Sequence, residues 1–257
     1  MRFLNILQFL TRISIKNDLG YDPHMERGIV YFPVVGGLIG LILVVANGAF
    51  EWIFSGIDNI YLQACLVLLL EVVLTGGLHI DGFGDTFDGF FSYRPKDRIL
   101  EIMKDPRLGT NSLLAIVFLL VLKLISMAVL IDYNMAWCIG FMPLVGRLGA
   151  VFMTYKTRPV RENGMGNMFI GKSSLTTLIL ASIFSLLAAG VLTYFSQPNP
   201  YIFTYLLGAI VLTFFLTKLL VRSSYKKIGG ITGDVLGCGI ELSELVFLIY
   251  ILIVMRW

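Results

Sequence analysis

Gly76-Gly77-Leu78-His79-Ile80-Asp81-Gly82-Phe83-Gly84-Asp85-Thr86-Phe87-Asp88-Gly89 closes a long apolar run that begins near Tyr61. The run is long enough to cross a membrane as a helix, and three carboxylates stand where its hydropathy ends. Asp81, Asp85 and Asp88 are spaced i, i+4, i+7. At about 100° per residue, Asp85 lies roughly 40° from Asp81 around a helix and Asp88 roughly 20° to the other side. One helical stripe then carries three negative charges that repel one another. A carboxylate near the bilayer core costs about 2.5–3.5 kcal/mol even on the mildest scale, so a partner has to offset it. Oxygen-only ligands suit a hard divalent cation, most simply Mg2+, with phosphates completing its shell. The glycines at 76, 77, 82, 84 and 89 are poor helix formers. They suit a place where something bulky approaches the backbone closely. A solvated acidic helix end is the blander explanation, but the residues between the acids are almost all apolar or Gly rather than Lys, Ser or Gln.

The rest of the chain supports a membrane setting. Of its 257 residues, 57% are hydrophobic and 14% charged, where a soluble domain carries about 25%. The mean hydropathy is +0.83. These values point to an all-α polytopic membrane protein, with residues 1–257 forming one domain. Cys65, Cys138 and Cys238 are isolated, lack any CxxC pattern and read as small core residues. Residues 1–15 lack the basic start, apolar block and small-residue site of a cleaved leader. Their apolar side chains, Phe3, Leu4, Ile6, Leu7, Phe9, Leu10 and Ile13, fall mostly on one face, which predicts an amphipathic helix at the membrane interface.

About seven spans are expected, near 30–50, 60–79, 112–131, 135–154, 175–195, 201–221 and 240–256. Their connections alternate in charge. Residues 50–60, 131–135 and 196–200 carry no base, and of the far-side residues only Arg256 is basic. Residues 80–111 carry Arg94, Lys96, Arg98, Lys104 and Arg107; residues 155–174 carry Lys156, Arg158, Arg161 and Lys172; residues 222–239 carry Arg222, Lys226 and Lys227. The positive-inside rule puts these three loops and the N-terminus in the cytoplasm. The acids then emerge on the cytoplasmic side. Glu71, Lys123 and Arg147 fall inside spans, where a charge suggests function by default, and Arg147 lies deep enough to require an acidic partner. Lys218, near a span end, either acts at the site or snorkels to the interface.

Two further stretches bear on chemistry. Residues 95–110 predict a short amphipathic cytoplasmic helix through Ile99, Ile102 and Met103, broken at Lys104-Asp105-Pro106-Arg107. Its bases either set topology or bind phosphate, and the acid triad about 15 residues upstream favours phosphate, whose oxygens Arg forks match. Gly229-Gly230-Ile231-Thr232-Gly233-Asp234-Val235-Leu236-Gly237 supplies a candidate anion nest with a hydroxyl and a carboxylate. Asp234 is positioned either to complete the metal shell or to cap the last span. His79 falls about 160° from Asp81 around the helix and is not counted as a ligand of the same metal.

Gly77 to Gly89, followed by Arg98-Ile99-Leu100-Glu101-Ile102-Met103-Lys104-Asp105-Pro106-Arg107-Leu108-Gly109-Thr110, resembles the signature of the cobalamin synthase family, the adenosylcobinamide-GDP ribazoletransferases. Phe9-Leu10-Thr11-Arg12, Tyr31 to Gly36, Arg158-Pro159, Gly164-Met165-Gly166, Gly230 to Gly237 and Glu244 continue the match across nearly the whole chain. Asn111-Ser112 departs mildly from it, where more glycine is expected. The resemblance implies an inner-membrane, Mg2+-dependent enzyme with its active site facing the cytoplasm. Its substrates would be adenosylcobinamide-GDP and α-ribazole or its 5′-phosphate. Its partners would be the lipid bilayer and other nucleotide-loop assembly enzymes, with no nucleic acid.

On this combined reading Asp81, Asp85, Asp88 and Asp234 hold metal, and Asp81 or Asp85 takes the proton of the attacking hydroxyl. Arg94, Lys104, Asp105, Arg107, Arg147, Arg158, Arg161, Thr232 and Glu244 are the candidate substrate-binding residues. Two other classes compete. A CDP-alcohol phosphotransferase would share Asp85-Thr86-Phe87-Asp88-Gly89, but its later Ala-Arg and Asp pair do not follow. A cation-coupled transporter would place its acids near the midplane on pseudo-symmetric halves.

Overall fold

The computed structural model describes residues 2–15, 22–56, 59–196 and 201–254. Among them it is all-helical. The helices are α1 (Arg2–Leu10), α2 (Phe32–Ile53), α3 (Ile60–Thr75), α4 (Leu78–Phe90), α5 (Lys96–Ile102), α6 (Thr110–Asp132), α7 (Trp137–Met153), α8 (Leu175–Ser196), α9 (Ile202–Ile228) and α10 (Gly233–Val254). Asn199 and Arg256 of the expected far-side loops lie outside the described residues, as do residues 16–21 of the first polar loop.

Each of the seven expected apolar runs forms a helix, but not all are long enough to cross a bilayer alone. Residues 25–53, 110–132, 202–228 and 233–254 qualify, and α3 with α4 would make a fifth span bent by 88°. Helix α7 and the 175–191 stretch of α8 are shorter. The last span also starts earlier than expected, at Gly233 instead of 240, because Thr232 accepts the N–H of Val235 and caps it (3.3 Å).

Helix α7 is the axis of the bundle. Every residue from Phe141 to Met153 is buried, the pattern of a helix surrounded by protein. It lies against α2 through Gly36, Gly40 and Gly140; a Cβ on Gly36 would come within 2.7 Å of the Leu144 Cα. Small residues spaced this way let two membrane helices touch backbone to backbone.

The acidic stretch is not the end of a span, as the hydropathy suggests. It is a helix of its own. Gly76 and Gly77 both adopt left-handed φ values, +64° and +69°, which only glycine takes at low cost. They turn the chain sharply from α3 into α4. The other glycines of α4 also have a different use from the one expected. A Cβ on Gly82 would sit 2.9 Å from the Asp234 backbone of α10, one on Gly84 would strike Ser112 and Ile116 of α6, and one on Gly89 would strike Met103 beside α5. The bulky neighbour that needs the space is the protein itself.

Two amphipathic helices also bury their apolar faces in the protein. In α1, Ile6, Leu7 and Leu10 join the core, and the helix stops at Leu10. In α5, Ile99 and the adjoining Met103 pack with Phe90, Ile228, Ile231 and Val235. Cys138 and Cys238 are buried, whereas Cys65 is exposed on α3. Lys218 is exposed on α9 and lies over the Phe214 ring, as a snorkelling lysine would.

Candidate active site

Helices α4 and α10 approach where both carry glycine. Gly82 faces the Asp234 backbone, and Gly237 faces the His79 backbone so closely that a Cβ on it would sit 3.2 Å from the His79 Cα. Beside this crossing the 161–167 loop lies on the start of α10. Arg158 and Val160 exchange backbone hydrogen bonds with Ile231 (3.0 and 3.1 Å), and Gly166 abuts Gly233. Asn167 braces the loop by donating to the Arg161 and Glu162 carbonyls (2.7 and 3.0 Å). Phe169 closes the far side against Phe9 of α1 and Phe32 of α2.

These elements enclose a cavity of about 290 Å3. Asp81, Arg161, Thr232 and Asp234 line it, together with His79, Leu78 and the backbone of Gly164, Gly166 and Gly233. Four of the residues selected from sequence are therefore brought to one wall, although Asp81 and Asp234 are far apart in the chain. Arg161 Nη1 donates to Asp234 Oδ2 (3.1 Å), which also accepts from the Thr232 hydroxyl (3.2 Å). Asp234 is thus not the cap of its helix. Arg161 Nε and Nη2 are buried and have no protein acceptor. Asp85 lies one turn along α4, within electrostatic reach of Asp81, Asp234 and Arg161. Among the described residues no cation pairs with Asp81 or Asp85.

Asp88 is elsewhere. Its carboxylate accepts the backbone N–H of Gly109 (2.8 Å) and of Ser112 (2.9 Å), so it caps α6 from the side. The stripe expected on α4 is split: Asp88 serves the fold, and Asp81 and Asp85 are left with Asp234. Among the described residues no three His, Cys, Asp or Glu side chains are grouped as a metal cage. That arrangement still fits Mg2+, which is usually held by one or two carboxylates, waters and substrate phosphates rather than by an all-protein cage.

The remaining candidates divide in two. Arg94, Lys104, Arg107 and Arg158 are exposed and do not line the cavity. Arg158 Nε donates to the Gly229 carbonyl (3.0 Å) and its guanidinium lies over the Tyr225 ring, so it ties the 158 loop to the end of α9. Arg107 forks onto Asp105 (2.9 and 2.6 Å) and holds that carboxyl down at about 2.

Arg147 and Glu244 are fully buried behind the cavity and bind each other. They belong to a cluster the sequence only hinted at. Lys123 Nζ reaches Glu71 (3.0 Å), Glu241 (3.2 Å) and Glu244 (2.7 Å). Arg147 Nη2 faces His79 Nδ1 at 3.3 Å. The charges seen singly inside apolar runs are mutual partners joining α3, α4, α6, α7 and α10. Periodicity could flag each of them as odd but not pair them.

Comparison with known proteins points in one direction. The family model described as cobalamin-5-phosphate synthase matches residues 2–252. The chain is similar to an adenosylcobinamide-GDP ribazoletransferase of Clostridioides difficile (strain 630), 50% identical over 252 residues, covering 97% of this chain and 96% of the relative. It is similar to proteins of the same name from Alkaliphilus metalliredigens (44% identity; 98% and 95% covered) and Clostridium tetani (36%; 95% and 92%). No solved structure matches.

Proposed function

Because the chain belongs to the cobalamin-5-phosphate synthase family, we propose that it closes the nucleotide loop of a corrinoid. A ribose hydroxyl of α-ribazole, or of its 5′-phosphate, attacks the cobinamide-side phosphorus of adenosylcobinamide-GDP. A new P–O bond forms, the diphosphate P–O bond breaks, GMP leaves with the bonding pair, and the hydroxyl proton passes to a carboxylate. The product is adenosylcobalamin or its 5′-phosphate. The family match favours this reading over the CDP-alcohol phosphotransferase and the transporter.

One observation carries the reading to this cavity: Arg161 spends one nitrogen on Asp234 and keeps two buried donors without acceptors. A guanidinium in that condition suits phosphate oxygens. Asp81 is exposed in the cavity wall, which favours it over Asp85 as the proton acceptor. Asp85 and Asp234 would hold Mg2+, which when bound neutralises diphosphate charge and the departing GMP. At about 290 Å3 the cavity is at the lower end of small-molecule sites, so it suits the reacting phosphates and ribose and leaves the macrocycle outside.

The basic loops at the α4 end of the bundle would face the cytoplasm, with the protein in a bacterial inner membrane. Neighbouring enzymes of nucleotide-loop assembly would be its partners there. The test is a membrane assay: adenosylcobinamide-GDP with α-ribazole, with and without Mg2+, followed by GMP and corrinoid analysis. Mg2+-dependent release of one GMP per cobalamin is expected; no GMP release when both substrates are present would overturn the proposal.

A further inference from the structure

His79 is one of two histidines in the chain. It forms part of the cavity wall yet is about 96% buried, with 4% of its surface exposed. Its Nδ1 is turned to Arg147 Nη2, 3.3 Å away. Arginine has donors and no acceptor. Nδ1 must therefore present its lone pair, and the ring proton sits on Nε2. Arg147 is held in turn by Glu244, and Glu244 by Lys123. The tautomer is fixed by a chain of buried partners on α7, α10 and α6. The Nε2 atom at the other edge of the ring is buried and has no protein partner.

An orphaned buried donor costs about 1–3 kcal/mol unless something answers it. Three such nitrogens belong to residues of this one wall: Arg161 Nε, Arg161 Nη2 and His79 Nε2. All three are donors. What completes the site must be rich in acceptors, as a diphosphate is.

We propose that His79 is a substrate-binding donor whose Nε2–H binds a phosphate oxygen of the nucleotide substrate, with Arg147 as the positioning residue that fixes its tautomer. This rests on the cavity being the phosphate site and deepens that reading. It also removes His79 as the base for the attacking hydroxyl, since its one lone pair already faces Arg147.

Two measurements test it. In kinetics, His79→Gln keeps an N–H donor and His79→Phe removes it while filling the space. With both variants inserted normally, His79→Phe should raise KM for adenosylcobinamide-GDP about tenfold or more, the effect of one hydrogen bond to a charged group. KM for α-ribazole should change less than about twofold, and His79→Gln should recover most of the loss. Equal losses in Gln and Phe variants with a lowered Tm would make His79 a packing residue and overturn the proposal, as would a change in KM for α-ribazole alone. In spectroscopy, 15N-histidine labelling in detergent gives two rings, and the His79 signal is the one absent from His79→Gln. It should report the Nε2-protonated tautomer and shift on adding inorganic pyrophosphate; an Nδ1-protonated ring or no response to pyrophosphate would overturn the assignment. Wild-type enzyme separates the two claims. No wild-type turnover refutes the functional reading, whereas wild-type turnover with an unchanged His79→Phe refutes only the donor.

Discussion

Lys123→Met removes the hub of the buried cluster. Its ammonium lies 3.0 Å from Glu71 Oε1, 3.2 Å from Glu241 Oε2 and 2.7 Å from Glu244 Oε2, and its side chain is 2% exposed. Methionine fills nearly the same space, so packing changes little while the charge disappears. Glu244 keeps Arg147. Glu71 and Glu241 lose the only ion-pair partner that each has among the described residues. Breaking one buried pair costs about 3–5 kcal/mol. For a chain of this size each kcal/mol moves Tm by about 2–4 °C, so a fall of about 6–20 °C follows. Thermal unfolding in detergent, followed by size-exclusion fluorescence, measures it. Lys218→Met is the control, since Lys218 is exposed on α9 and should stay within about 0.5 kcal/mol of wild type. Adding Glu241→Gln to Lys123→Met should restore about 0.5–3 kcal/mol by relieving the stranded charge. A Lys123→Met protein melting within about 2 °C of wild type would refute the reasoning.

Asp81→Asn should lower turnover by about 10²–10⁴-fold with normal membrane insertion, and near wild-type turnover would remove it as the proton acceptor. Asp88→Ala should cost about 0.5–2 kcal/mol of stability for the lost cap, with the Mg2+ concentration for half-maximal rate unchanged; a raised Mg2+ requirement would return it to the metal site. Gly82→Ala should lower both Tm and activity, because its Cβ would lie 2.9 Å from the Asp234 backbone, whereas Gly48→Ala meets open space and should gain up to about 1 kcal/mol. Cysteines at Ser92 and Ser55, placed in a Cys65→Ser background, should be labelled from opposite faces, Ser92 from the cytoplasm. Labelling of Ser92 from outside would invert the topology.

The helices were legible because apolar length is a strong signal, and Asp81, Asp234, Arg161 and Thr232 were legible because acids, bases and glycines at a hydropathy edge are rare. What stayed hidden depended on three-dimensional partners. Asp85 and Asp88 share a stripe, yet only the position of the α6 N-terminus shows that Asp88 is occupied there. Hydropathy ran through Gly76 and Gly77, since two glycines barely alter an average while their φ values bend the chain. The amphipathic faces of α1 and α5 look the same to a sequence whether lipid or protein covers them. The helical angle separates His79 from Asp81 around α4, but no periodicity shows that Arg147 stands behind it.

The turn at Gly76 and Gly77 also bears on the lipid around the protein. It ends α3 after 16 residues, a helix about 24 Å long. The hydrocarbon core of a typical bilayer is about 30 Å thick. Helix α3 faces outward through Tyr61, Leu69 and Val73, so lipid meets it directly. Where α3 rather than the bent α3–α4 pair crosses on that flank, the bilayer would thin by up to about 6 Å, at a fraction of a kcal/mol per Å. Water and headgroups would then reach toward the level of α4, and a host membrane made of shorter acyl chains would accommodate the protein with less deformation.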